Sequence, residues 1–153
     1  MDVKYINPFV SSTVQAFKTM MQADATPGKP MLKANSTLRS DVSGIIGLSG
    51  DARGSIGICF PKIAALKTVS AMIGTSIKVV GEEVTDGVGE LANIIAGHAK
   101  QYLSEYNITI SLPQVILGAN HIVASLKREP AIVVPFTCPY GDFSLDVSLK
   151  TNE

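Results

Sequence analysis

Val88, Leu91, Ala92, Ile95, Ala99, Tyr102, Leu103 and Tyr106 recur at helical spacings over residues 86–106. At 100° per residue they fall within about 80° of the side opposite Asp86, which makes a long helix with one face that must be buried. Its neighbours decide what can bury it. Residues 31–39, 42–48 and 55–60 before it, and 108–116, 121–126, 131–137 and 143–149 after it, read as short strands rich in β-branched residues. Most are joined by brief Gly, Asn and Pro turns, among them Ser49-Gly50-Asp51-Ala52-Arg53-Gly54. Such turns join antiparallel neighbours, so the expected architecture is α/β, an antiparallel or mixed β-sheet covered by helices.

Two further helices complete the pattern. Phe9, Val10, Val14, Phe17, Met20 and Met21 give residues 8–21 an amphipathic face, with Asn7 as N-cap and Pro8 at the first position. Pro61 opens a second helix over 61–73, and Gly74 stands where a helix stops. Residues 78–80 form a brief extended piece. Pro139-Tyr140-Gly141-Asp142 echoes Leu48-Ser49-Gly50-Asp51, so two strand pairs are tipped by Gly-Asp, which is ordinary turn chemistry.

At 153 residues the chain is expected to be a single domain, 1–153, large enough to bury a core without staples. Thirteen basic residues balance thirteen acidic ones, with no basic run, so nucleic acid is not an expected partner. Met1-Asp2-Val3-Lys4 leads into Asn7-Pro8-Phe9 and not into an apolar leader core, and no apolar run approaches the roughly 18 residues of a membrane span. A cytoplasmic protein without membrane contact is expected. Charged residues make up 17%, against an average of roughly 25%, which points to surface covered by a second copy of the chain. Cys59 and Cys138 lie in separate apolar runs and read as small buried hydrophobes. His98 and His121 have no Cys, Asp or Glu at ligand spacing, so no metal site is expected.

The polar side of the long helix carries Asp86, Glu90, Asn93 and Gly97 in one row, all within about 40° of Asp86 on the helical wheel. Asp86 could serve the helix dipole, and Glu90 and Asn93 could be ordinary surface residues. Asn and Gly are poor helix residues, however, Gly costing ~1 kcal/mol relative to Ala, and no packing demand places them on an exposed face. A bare Gly97 beyond Asn93 lets another backbone approach. Gly87-Val88-Gly89-Glu90-Leu91-Ala92 also matches the GxGxxA form of a dinucleotide loop, but polar residues precede it where a strand is required, and Glu90 would face the pyrophosphate.

Asp86-Gly-Val-Gly-Glu90-Leu-Ala-Asn93, followed downstream by Ser111-Leu112-Pro113, resembles the active-site signature of the CheC/CheX/FliY chemotaxis phosphatases. The single Glu/Asn pair and the absence of a second copy in the 61–73 helix resemble the CheX type. The spacing from Asn93 to Pro113 is slightly shorter than is usual in that family. The resemblance implies a CheC-like fold, a homodimer with its sheets joined edge to edge, and hydrolysis of the aspartyl phosphate of a CheY-like response regulator in chemotaxis signalling. By the same resemblance Glu90 and Asn93 are catalytic, Asp86, Gly97 and Pro113 belong to the partner-binding surface, Asp86 as a peripheral docking or capping residue and Pro113 as a shape element beside the row, and no cofactor of its own is needed because the regulator brings Mg²⁺. The alternative is a non-catalytic module that docks a receiver domain or flagellar switch component. Residues 131–136 offer a β-branched run, which serves either as the edge for dimerisation or as a central buried strand.

Overall fold

The computed structural model describes residues 3–35, 38–123 and 131–151. In chain order the elements are helix α1 (Val3–Met21), two-residue strands β1 (Thr26–Pro27) and β2 (Met31–Leu32), a 3₁₀ turn (Lys33–Asn35), β3 (Ser40–Gly50), β4 (Ala52–Phe60), α2 (Lys62–Ile73), α3 (Glu82–Gln101), β5 (Ile108–Ile110), β6 (Gln114–His121), β7 (Ala131–Thr137) and β8 (Phe143–Thr151). The sheet order is β1-β7-β8-β4-β3-β5, with β2 also on β7 and β6 also on β3. Every pairing is antiparallel, and the short turns joining β3 to β4 and β7 to β8 require it for those two.

Strand alternation divides the sheet into two unlike faces. Val42, Gly44 and Ile46 of β3 lie opposite Phe60, Ile58 and Ile56 of β4, and with Phe143, Leu145 and Val147 of β8 they form the face that the helices cover. Phe143 stacks between Phe17 of α1 and Phe136 of β7, with ring centroids 4.8 and 5.0 Å away. The other face is more polar, presenting Ser43, Cys59, Ser144, Asp146 and Ser148 beside Ile45, Val133 and Pro135. There Lys33 reaches from the 3₁₀ turn to Asp146 at 2.7 Å, a nearly enclosed ion pair.

The helix ends differ from expectation in instructive ways. α1 begins at Val3, so Asn7 is not its N-cap and Pro8 lies inside it. Pro8 lacks the N–H that would bond one turn back and crowds the carbonyl there, yet the helix runs on through it and buries Ile6. α3 begins at Glu82, with Gly81 at the N-cap, so Asp86 is inside the helix and does not cap it. Glu82 and Glu83 fill the first turn, where the dipole favours carboxylates. α3 ends at Gln101, leaving Tyr102, expected on the core face, 69% exposed. α2 matches expectation: Pro61 is its N-cap and Gly74 its left-handed C-cap.

Several strands are also reshaped. The expected strand over 31–39 is β2 followed by the 3₁₀ turn that delivers Lys33, while residues 36–37 lie outside the described residues. Residues 78–80 carry no strand. Of the run 121–126, His121 closes β6, 122–123 are irregular, and 124–126 lie outside the described residues. Both Gly-Asp tips are turns, and the first is tighter than expected, with Gly50 in the left-handed region at φ 108°. β7 is not an edge: β8 flanks one side, and β1 and β2 flank the other. The long open edge is β6, which pairs only with β3 among the described strands.

The expected strand 108–116 is split by a bulge. Leu48 pairs with Ile110 and Ile45 with Gln114, so Ile46 and Gly47 face three residues, Ser111, Leu112 and Pro113. Pro113 has no N–H for the ladder, and where the bulge interrupts the pairing the Ser111 Oγ accepts the Gly47 N–H at 2.8 Å.

Candidate functional site

α3 is held from beneath and from both sides. Val84, Val88, Leu91, Ala92, Ile95 and Ala99 are fully buried, which fixes the opposite side outward. Beneath it, a Cβ on Gly44 would lie 3.0 Å from Val88 Cγ1 and 3.1 Å from the Val88 carbonyl oxygen, so the helix rests almost on the β3 backbone. Toward α2, a Cβ on Gly87 would lie 2.6 Å from Val69 Cγ1. Toward the bulge, a Cβ on Gly89 would meet Val115 Cγ2 at 3.5 Å and Pro113 Cγ at 3.7 Å. Gly87 and Gly89 are therefore packing residues inside a helix, which excludes the dinucleotide-loop reading.

The row predicted from the helical wheel stands on the outer side of this helix. Asp86 and Glu90 are exposed, and Asn93 and Gly97 are half-buried. Nothing lies within 4 Å of where a Cβ on Gly97 would stand, so that position is bare. Among the described residues neither the Glu90 nor the Asn93 side chain is drawn into a hydrogen bond or an ion pair; the ion pairs there join Lys18 to Asp24 and Lys33 to Asp146. Pro113 comes to the row's flank, because Gly89 lies about 40° from Asn93 and about 60° from Asp86 around the helix. The structure thus brings Asp86, Glu90, Asn93, Gly97 and Pro113 to one surface.

Chemically that surface combines an acceptor-only carboxylate with a neutral amide that can donate and accept, one helical turn apart. It lacks the parts of a metal centre: among the described residues no three His, Cys, Asp or Glu are placed to hold an ion. His121 is engaged elsewhere. Its Nδ1 donates to the Gly118 carbonyl at 2.7 Å, which leaves Nε2 to accept from Ser43 at 2.7 Å. Both cysteines are free, and burial pushes the Cys59 thiol up to about 12, so it stays protonated and inert.

Some residues that shape the site escaped the sequence reading. Gly44 supports α3 from a strand more than forty residues earlier, a contact that helical periodicity cannot signal. Ser111 stands in the sequence only as part of a motif, and its clamp on Gly47 depends on the register of β3. Asp41 holds two elements at once, its carboxylate accepting the Lys62 N–H at 2.7 Å and the Asn120 N–H at 2.9 Å. Those two bonds hold the Asp41 carboxyl below its ordinary value.

Comparison with known proteins identifies the family and the fold. The family described as chemotaxis phosphatase CheX matches residues 42–137, a span from β3 through α3 and the bulge to β7. The CheY-P phosphatase CheX of Thermotoga maritima is 27% identical over 157 residues, covering 99% of each chain. A CheC-like superfamily protein from Shewanella sp. PV-4 superposes with a TM-score of 0.91 at 37% identity, over 98% of this chain and 99% of that one. A Borrelia burgdorferi structure of the CheX-CheY-BeF3-Mg²⁺ complex superposes with a TM-score of 0.81 at 28% identity, over 95% and 97%. With more than half of its length matched by the family and the whole fold shared at above 30% identity, the chain belongs to the chemotaxis phosphatase CheX family.

Proposed function

We propose that this chain hydrolyses the aspartyl phosphate of a CheY-type receiver domain, the substrate named for its Thermotoga relative. The observation that carries the reading is the outward Glu90 and Asn93 pair, unengaged among the described residues and standing on a helix held rigidly by Gly44, Val69 and Pro113. Freedom from internal partners leaves both side chains available to another molecule, and a rigid base is what positioning catalysis needs.

The reaction needs little beyond placement. A water oxygen attacks phosphorus in line, the bond from phosphorus to the aspartyl oxygen breaks, and inorganic phosphate leaves with the receiver's carboxylate restored. Asn93 accepts a hydrogen bond from the attacking water through its side-chain oxygen, while its NH₂ donates to a second group and fixes the water's direction. Glu90 pairs with a cation of the receiver and sets the register between the two proteins. Asp86, Gly97 and Pro113 border the contact. The receiver's own Mg²⁺ carries the developing charge, so the chain works without a cofactor, in the cytoplasm where receivers are phosphorylated.

The working unit in this proposal is a homodimer joined through the open edge of β6, where Ile116 and Leu117 are 40% and 49% exposed. This replaces residues 131–136 as the dimerising edge, because β7 is already paired on both sides.

The test mixes the purified protein with a phosphorylated CheY-type receiver and Mg²⁺ and follows loss of the acyl phosphate. Shortening of its lifetime at catalytic amounts of protein is expected. Binding with an unchanged lifetime would replace this reading with that of a docking module.

A further inference from the structure

We infer that Leu112 is a docking residue of this same site, an apolar knob held out to bury itself against an apolar patch on the receiver domain. The inference rests on the reading of Glu90 and Asn93 given above. Leu112 is 87% exposed, more than any other large hydrophobic side chain among the described residues. Isolated exposed hydrophobics are common on protein surfaces, and two independent features set this one apart.

The first feature is the backbone that carries it. Leu112 is the middle of the three residues that bulge opposite Ile46 and Gly47, and a bulge re-aims a side chain out of the sheet's alternation. The bulge is clamped. Ser111 N–H donates to the Gly47 carbonyl at 2.9 Å, Ser111 Oγ accepts from the Gly47 N–H at 2.8 Å, and the same hydroxyl donates to the Leu112 carbonyl at 2.9 Å. Pro113 then fixes the following φ and packs on Gly89. A loose loop could fold a leucine back onto its own protein, but a clamped one keeps it presented. With the backbone already clamped, burying the side chain costs little further backbone ordering on binding.

The second feature is location. Leu112 precedes the proline that contacts Gly89, the neighbour of Glu90, on the flank of the row that carries Asn93. A receiver seated on Glu90 and Asn93 therefore meets this loop. The receiver's phosphorylated pocket is polar, so an apolar contact beside it adds affinity and selects among receivers without touching the chemistry.

The experiment compares Leu112→Ala, Leu112→Asp and Leu112→Met with the unmodified protein. It measures turnover at saturating phosphorylated receiver, the half-saturating concentration, and affinity for the beryllofluoride-loaded receiver. Leu112→Ala is expected to raise the half-saturating concentration and the Kd together by about five- to tenfold, Leu112→Asp by more, with turnover at saturation changed less than twofold. Leu112→Met should recover affinity to within twofold. Melting temperatures should coincide, since the side chain supports nothing inside the fold. If the unmodified protein is active and Leu112→Asp keeps its affinity, this inference falls alone. If the unmodified protein neither binds nor dephosphorylates the receiver, the reading of the site falls and takes this inference with it.

Discussion

Gly44 lies directly under Val88: a Cβ on residue 44 would stand 3.0 Å from Val88 Cγ1, 3.1 Å from its carbonyl oxygen and 3.3 Å from Ala92 Cβ. Two of those three atoms belong to short, stiff side chains and the third to the backbone, so the helix itself must move to admit a methyl group. Glu90 and Asn93 lie within the segment that would be lifted.

Gly44→Ala is therefore expected to destabilise the protein by about 1–3 kcal/mol, the usual range for overpacking a well-filled interior. Chemical denaturation measures this. Under the proposed function the same variant should lose turnover while still folded, because a shift of a few tenths of an ångström displaces the oriented water. An unchanged midpoint of unfolding would mean that α3 accommodates the methyl group and that Gly44 does not set its height.

Gly97→Ala should have the opposite effect on stability. No atom lies within 4 Å of the added Cβ, and alanine in a helix interior is better than glycine by roughly 0.5–1 kcal/mol. For a chain of this size that raises Tm by about 1–4 °C, readable by calorimetry. If Gly97 is bare in order to admit the receiver, affinity for the beryllofluoride-loaded receiver should fall even as the protein becomes more stable. A residue serving only the fold could not produce that pair of results.

The contrast between these glycines shows what was legible in the sequence. Features set within a few residues could be read there: the outward row of α3, the stop at Gly74, and the turns at Gly50 and Gly141. Features set by distant partners could not. Lys33 leaves its expected strand for Asp146, 113 residues later. Pro113 splits one expected strand because β3 offers two residues opposite three. Gly81-Glu82-Glu83 reads as a polar stretch, yet it starts α3, where Val84 is fully buried and the dipole welcomes the acids. Residues 131–136 have the composition of an edge or a core strand equally, and only the sheet order decides between them.

The polar face of the sheet should give an unusual pH response. Burial pushes the Asp146 carboxyl above its ordinary value, and Lys33 works against that shift. Lys33→Met leaves the carboxylate buried without its partner, a loss of about 3 kcal/mol or more at neutral pH. A carboxyl whose pKa is raised on folding takes up a proton more readily folded than unfolded. Acidification from neutral pH toward the unfolded value of 3.8 should therefore restore part of the lost stability in Lys33→Met. Asp41 runs the other way. Its pKa is lowered by two backbone N–H donors, so what it contributes is present above 3.8 and lost as pH falls through its depressed value. Urea unfolding of the variant at pH 7 and pH 5 decides the matter, and an equal deficit at both would show that the Asp146 charge is not what destabilises it.

Separating Asn93 from Glu90 tests the chemistry most directly. Asn93 acts on the water, which is fully engaged only in the transition state, so Asn93→Ala should lower turnover by about 10²–10³, or ~3–4 kcal/mol, with receiver affinity nearly intact. Glu90 acts through a charge pair that forms when the proteins meet. Glu90→Ala should therefore weaken complex formation and activity together, and Glu90→Gln should recover little because the charge is gone. Both side chains stand on the outer side of α3, so neither change should alter stability by more than roughly 1 kcal/mol. The measurements are phosphate release at saturating phosphorylated receiver and affinity for the beryllofluoride-loaded form. Loss of affinity in Asn93→Ala with turnover at saturation preserved would reverse the assignment, making Asn93 the docking residue. Full activity in Asn93→Ala would remove water positioning as the mechanism and leave the surface as a docking site.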